Sequence, residues 1–71
     1  MASPPESTPD VEPMMRWFAY EHLREPMRHV SLNFHALAVV ITATVPRSAE
    51  RTVALRKLLE SKDAAVRAVL P

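Results

Sequence analysis

The feature that most constrains the fold of this chain is the absence of glycine from its 71 residues. Phosphate-binding loops and dinucleotide-binding fingerprints need glycine where the backbone approaches phosphate. Two-residue hairpin turns favour glycine or asparagine at positive φ. Cysteine is also absent, which excludes disulfides and thiolate metal sites. Because Ala, Leu, Glu, Arg and Lys favour helix, the chain is predicted to be all-α and to form one domain.

The first 13 residues, MASPPESTPDVEP, differ in composition from the rest. They contain four of the seven prolines and three acidic residues, but no basic residue. This composition predicts a disordered acidic leader over residues 1–13, followed by a domain over residues 14–71. That domain carries nine Lys and Arg against the five remaining Asp and Glu, a balance of +4. Such a balance favours anionic ligands, although ordinary solubilising charge would produce it as well.

Proline and serine positions divide the domain into helical elements. Residues 14–24 are predicted to form a short helix or turn, which Pro26 closes because the residue before proline avoids the α region. A first long helix is expected from about 26 to 45. After a short connector, Ser48 is a suitable N-cap for a second long helix from about 49 to 70. Two long helices joined by a short link predict an antiparallel hairpin.

Apolar residues at spacings of three and four predict which faces of the two helices meet. Lys62 falls within the stripe on the second helix, where a lysine is expected to extend its amine out of the seam to solvent. The expected seam consists of Val30, Phe34, Leu37, Ile41 and Val45 on the first helix and of Leu55, Leu59, Val66 and Val69 or Leu70 on the second.

The first helix carries a further set of apolar residues, which we call the second apolar stripe: Leu32, Ala36, Val39, Val40 and Ala43. A helix that is apolar nearly all round must be buried nearly all round, and one partner helix cannot cover both stripes. An exposed stripe of this kind is typical of an interface. The sequence therefore predicts a homo-oligomer of undetermined copy number. Docking of a host protein onto the same stripe is the alternative.

Residues 30–45 carry no formal charge when His35 is neutral, which raises the question of a membrane span. Sixteen helical residues extend roughly 24 Å, less than the ~30 Å of a hydrocarbon core. The segment also contains Ser, Asn and Thr. No membrane span is expected, and the N-terminus lacks the basic and apolar regions of a secretory signal.

No catalytic constellation is evident. The histidines, His22, His29 and His35, are spaced by seven and six residues rather than at the i, i+4 spacing of helical zinc sites. The serines lack the context of a nucleophile elbow, and adjacent acids such as Glu60 and Asp63 are typical of a solvated helix face. We expect neither an enzyme nor a bound metal or cofactor.

The segment RWFAYEHL, residues 16–23, holds three of the four aromatic residues beside Arg16. Aromatic faces stack on nucleobases, and arginines bind phosphates. Packing in the core is the favoured interpretation for Trp17 and Phe18, whereas Tyr20 suits either role. The candidate ligand-binding residues are Tyr20, Arg16, Trp17, Arg24 and Arg28, together with Arg51 and Arg56, which open the second helix beside Lys57.

These residues resemble the small helical-hairpin sponge proteins of tailed phages, which counter the CBASS and Thoeris defences of bacteria. The similar features are R-W-F-A-Y, a helix that ends at a proline, and the stretch ERTVALRKLLESKDAAVRA at residues 50–68. In the family this stretch has an acidic residue, Arg, Ser or Thr, then A-L-R-K-L, a Glu and an alanine-rich end. The resemblance covers residues 16 to about 70.

The resemblance implies a hexamer of hairpins that sequesters cyclic di- or trinucleotides in the host cytoplasm without cleaving them. It places the family's base-stacking tyrosine on Tyr20. The family's basic phosphate contact falls in VSLNF, which has no Lys or Arg, so that Arg28 is the nearest substitute. Its Trp-Ala-Asn near the end of the second helix falls on residues 64–66, which read Ala-Ala-Val.

A third interpretation is binding to DNA or RNA through the +4 surface, although no nucleic-acid polymer is expected as a partner. Affinity for a polymer would fall steeply with salt. A sponge would instead retain binding at moderate salt and would discriminate cyclic from linear ligands.

Overall fold

The computed structural model describes residues 12–70. These residues form a 3₁₀ helix, Pro13–Phe18, followed by two α-helices, α1 (Met27–Thr44) and α2 (Ala49–Ala68). No strand occurs within this range. The predicted all-α fold, with a short N-terminal element and a hairpin of two long helices, is confirmed. The predicted leader lies outside the described residues, apart from Glu12 and Pro13.

Helix α1 ends at an extended residue rather than at a left-handed one. Val45 has φ −108° and ψ 123°, the conformation that Pro46 favours in the residue before it. The Val45 N–H donates to the carbonyl of Ile41 at 2.9 Å. None of the described residues has a positive φ, which explains how the hairpin forms without glycine.

Helix α2 begins with the predicted serine N-cap. Ser48 is extended, and its Oγ accepts a hydrogen bond from the backbone N–H of Arg51 at 3.0 Å. Glu50 lies in the first turn, where a negative charge interacts favourably with the helix dipole.

The seam between the helices is rotated on α1 relative to the prediction. The fully buried residues of α1 are Ser31 and Ala38, and Phe34 and Ile41 lie partly buried between and beyond them. Leu37, which was predicted to lie in the seam, is 48% exposed. Small side chains let two helices approach closely, so the contact is centred on Ser31 and Ala38 rather than on Leu37. Ser31 acts here as a small residue, since its hydroxyl has no hydrogen-bond partner within the described part of the chain.

On α2 the predicted seam agrees with the structure, with Val69 and not Leu70 half-buried at its end. Leu55 is fully buried, and Leu59 packs against the core. Leu70 is exposed, as is Val45 at the end of α1. Both exposed residues lie beyond the ends of the helices.

The core is small. Among the described residues only Phe18, Ala38 and Leu55 form its fully buried apolar centre. The smallest extent of the Cα trace is 14 Å, against 47 and 26 Å in the other two directions. A layer this thin covers most apolar side chains on one side only. Other residues that pack against the centre are Met14, Met15, Phe34, Ile41, Leu58 and Leu59.

The 3₁₀ helix lies along the hairpin and contacts both α-helices. Glu12, just before it, bonds Arg51 near the start of α2. At its other end, the Trp17 carbonyl accepts a hydrogen bond from Lys62 Nζ at 2.7 Å. Arg51 and Lys62 are separated by three turns of α2, about 16 Å. The segment therefore runs parallel to α2, and Phe18 at its end is fully buried.

Candidate functional site

The two adjacent aromatics of the 3₁₀ helix have opposite environments. Phe18 is fully buried, whereas Trp17 is 54% exposed. The packing interpretation is therefore correct for Phe18 and wrong for Trp17. Phe18 is the aromatic residue that belongs to the core at this end.

Trp17 presents its indole together with a cation. The guanidinium carbon of Arg16 lies 4.9 Å from the centroid of the indole ring, a cation–π contact worth about 0.5–1 kcal/mol at an exposed site. The hydrogen bond from Lys62 Nζ to the Trp17 carbonyl fixes the backbone beneath this pair. Lys62 was expected only to reach solvent from the seam. Its bond to a residue 45 positions away had no signal in the local sequence.

Tyr20 is held against α1 by a histidine. Its ring meets that of His35 edge to face, with centroids 5.1 Å apart and an interplanar angle of 61°. Both residues are half-buried. The sequence suggested His35 only as a possible metal ligand, and the structure instead shows it as the residue that orients Tyr20.

Arg24 and Arg28 lie on the surface around the start of α1. The Nε of Arg28 donates to Glu25 at 3.2 Å, and the other carboxylate oxygen of Glu25 accepts from the backbone N–H of His29 at 3.2 Å. Glu25 thereby caps the first turn of α1 and partly neutralises Arg28. Arg24 makes no ion pair within residues 12–70 and carries the more available charge.

Arg51 was predicted to bind ligand, and the structure places it in the interior instead. It is 2% exposed. Its guanidinium donates to the carbonyls of Thr42 at 3.2 Å and Val45 at 2.9 Å, and to Glu12 Oε1 at 2.9 Å. Helix α1 has no basic residue in its last turn, so Arg51 supplies the cation and the donors that its final carbonyls require.

The predicted basic group at the start of α2 is therefore divided. Arg56 and Lys57 are exposed, and Lys57 lies 3.9 Å from Glu60 in a surface ion pair. Arg56 lies on the solvent side of α2, away from the buried face that Arg51 shares with Leu55. Arg51 and Trp17 are likewise apart, because Trp17 bonds α2 three turns further along, at Lys62.

The second apolar stripe is uncovered in the single chain. Leu32 is 36% exposed, Val39 44% and Val40 52%, and Ala36 and Ala43 are also exposed. The prediction that the hairpin partner cannot cover this stripe is confirmed. What covers it in solution stays a prediction.

Residues 12–70 of one chain enclose no pocket. Within the same range, no three His, Asp or Glu side chains are grouped so that they could hold a metal ion. None of the described helices is long and apolar enough to cross a membrane. Small ligands are usually bound in concave sites that cover most of their surface, so the exposed Arg16–Trp17 pair and the half-buried Tyr20–His35 pair require a further wall to enclose one.

No family model, curated protein or solved structure matches this chain. The similarity of residues 16–70 to the sponge family therefore stays a prediction from the sequence.

Proposed function

We propose that this chain is a phage counter-defence protein that assembles into a homo-oligomer and sequesters cyclic oligonucleotides in the host cytoplasm without cleaving them. The observation that carries the proposal is the exposed Arg16–Trp17 pair, which the bond from Lys62 anchors to the hairpin. An indole with an adjacent guanidinium offers a stacking surface for a base and donors for a phosphate.

A second aromatic on a rigid support strengthens this interpretation. Tyr20 is oriented by its edge-to-face contact with His35 of α1. A ring fixed before binding loses little conformational freedom when a ligand arrives, which favours tight capture.

The charge of the surface also favours an anionic ligand. Residues 12–70 contain nine basic and six acidic residues. The buried Arg51–Glu12 pair removes one of each, leaving eight basic against five acidic residues. In a symmetric oligomer this excess is multiplied, and it attracts phosphates toward the assembly.

Oligomerisation supplies the missing wall of the site. One chain has an uncovered apolar stripe on α1 and no pocket within residues 12–70. A second copy that covers the stripe would bring its own aromatic and arginine side chains to the same region. Cyclic dinucleotides have approximate two-fold symmetry and cyclic trinucleotides approximate three-fold symmetry, so a symmetric assembly can present equivalent residues to each ligand unit.

Titration calorimetry with cyclic di- and trinucleotides and their linear counterparts tests the proposal. We expect cyclic ligands to bind and to be recovered intact after denaturation. Tyr20→Ala or Trp17→Ala should weaken binding by about 1–3 kcal/mol per lost stacking contact, roughly 5- to 150-fold in Kd. Lys57→Ala, at an exposed surface ion pair on α2, is the control and should bind like the unmodified chain. Unchanged affinity in both aromatic variants would rule out the assigned stacking roles.

The second candidate function is docking of a host protein onto the second apolar stripe, and the exposure of Val39 and Val40 favours it. This function predicts a chain that stays monomeric and gives no heat with any cyclic nucleotide. Non-selective binding of DNA or RNA predicts affinity that falls steeply with salt and does not depend on a cyclic ligand.

A further inference from the structure

The second apolar stripe contains a regular seam. Leu32, Ala36, Val39 and Ala43 follow one another at spacings of four, three and four, the alternation of a and d positions in a coiled coil. All four side chains are exposed. With 3.6 residues per turn, they lie roughly 120° around α1 from Ser31 and Ala38, the residues buried against the hairpin.

The part of α1 around this seam can be buried without burying a charged side chain. No Asp, Glu, Lys or Arg occurs in α1 after Arg28. The hydroxyls of Thr42 and Thr44 donate to the carbonyls of Val39 and Val40, at 3.0 and 2.7 Å. Covering this half of the helix would therefore leave neither threonine donor unsatisfied.

The order of side-chain sizes along the seam is large, small, large, small. A two-fold axis that passes between Leu37 and Ala38 and relates two antiparallel copies of α1 places Leu32 opposite Ala43 of the partner subunit. The same axis places Val39 opposite Ala36 of the partner subunit. Every large side chain then meets a small one, and the gap between the helices stays even. A parallel pair would instead set leucine against leucine and alanine against alanine.

The helix dipoles fit the antiparallel arrangement as well. In this register the last turn of each α1, residues 41–44, lies beside residues 31–34 of the other copy, and the two helix dipoles run antiparallel.

We propose that α1 pairs with α1 of a second copy in this antiparallel two-fold register. A second copy is the occupant because the seam is complementary to itself, and because a core centred on Phe18, Ala38 and Leu55 gives one chain of this size little stability alone. The inference rests on the proposed function, which requires an oligomer, and adds the interface and its symmetry.

The pairing also completes the candidate site. His35 is a neighbour of Leu32 and Val39 on the helix surface, three and four residues away, so the Tyr20–His35 pair borders the seam. The two-fold axis is perpendicular to the plane of the paired helices. The two Tyr20–His35 pairs therefore lie on the same face, offset by about 7.5 Å along the helices.

Disulfide cross-linking tests the register, because the chain contains no cysteine of its own. Full-length Leu32→Cys and Ala43→Cys chains, one of them isotopically heavy, are mixed and oxidised gently. We expect covalent dimers that join the two different variants, at least tenfold above the yield from either variant alone. Ala54→Cys, at an exposed alanine of α2, gives the background of random collisions.

Cross-linking of Leu32→Cys chains to each other, or no yield above the Ala54→Cys background, would overturn the register. Nucleotide titration of the same mixture before oxidation separates the proposed function from the proposed register. Ligand binding without the expected cross-link would overturn the register and leave the proposed function standing.

A second test introduces a charge into the seam. Ala36→Glu should reduce the light-scattering mass below that of the unmodified assembly, and Ala54→Glu should not. An unchanged mass for a folded Ala36→Glu chain would also overturn the interface.

Discussion

Arg51 links three parts of the chain that are distant in sequence. Its backbone N–H bonds the N-cap of α2, and its guanidinium bonds the final carbonyls of α1 and the carboxylate of Glu12. The pair with Glu12 is almost completely buried, with side-chain exposures of 1% and 8%. Removal of one partner from a buried pair leaves an uncompensated charge, which costs more than the pair itself contributes.

Arg51→Ala is therefore expected to lower the free energy of unfolding by about 3–5 kcal/mol, a large fraction of the stability of so small a domain. Urea unfolding followed by circular dichroism, at one fixed protein concentration, measures this loss. The matched control is Arg56→Ala, an exposed arginine one turn along α2, which should change stability by no more than ~0.5 kcal/mol. Equal stability of the two variants would show that Arg51 is not the structural residue described above.

Lys62 is the second residue with a long-range structural bond, and Trp17, which it holds, is the only tryptophan of the chain. Lys62→Met keeps the length of the side chain but removes the donor. We expect a stability loss of about 0.5–1.5 kcal/mol, typical of one hydrogen bond, and lower fluorescence anisotropy of Trp17. Lys57→Met should change neither quantity. Unchanged anisotropy in Lys62→Met would show that the bond does not hold the Trp17 segment.

At the scale of elements, the local signals of the sequence located the helices well. Pro26, Pro46 and Ser48 act on their immediate neighbours, so they place the ends of α1 and the start of α2 to within a residue or two. The periodicity of apolar residues also identified the stripe that the hairpin leaves uncovered. These signals depend on residues close together in the chain.

The sequence was less informative where contacts connect distant residues. Glu12 and Arg51 are 39 positions apart, and nothing near either residue indicates the pairing. Leu37 was assigned to the seam because it follows Phe34 and precedes Ile41 at spacings of three and four, but the small residues Ser31 and Ala38 set the line of contact. Trp17 and Phe18 are adjacent and similar in character, so only the three-dimensional core determines which ring is buried.

The N-cap of α2 gives a test at the scale of one element. Ser48→Ala removes the acceptor for the Arg51 N–H and should cost about 1 kcal/mol of stability. Ser61 lies exposed in the middle of α2, where alanine is the better helix former. Ser61→Ala should therefore leave stability unchanged or slightly raise it in the same urea titration. A loss in Ser61→Ala equal to that in Ser48→Ala would mean that the capping bond contributes nothing specific.

At the scale of the whole molecule, one chain is a thin layer with a small core, an uncovered apolar stripe and no pocket within its described residues. The proposed oligomer accounts for these features together. Additional copies cover the stripe, enlarge the buried apolar surface and add a wall beside Tyr20. Folding, assembly and ligand capture would then depend on the same surfaces.

Native mass spectrometry of the full chain, mixed with cyclic di- and trinucleotides, tests this account most directly, because it reads assembly and ligand occupancy in the same ion. We predict that intact cyclic ligand is carried only by oligomers, with fewer ligands than chains, since each site is built from more than one copy. One ligand on each monomer, oligomers that carry none of these ligands, or recovery of cleaved ligand would contradict the account.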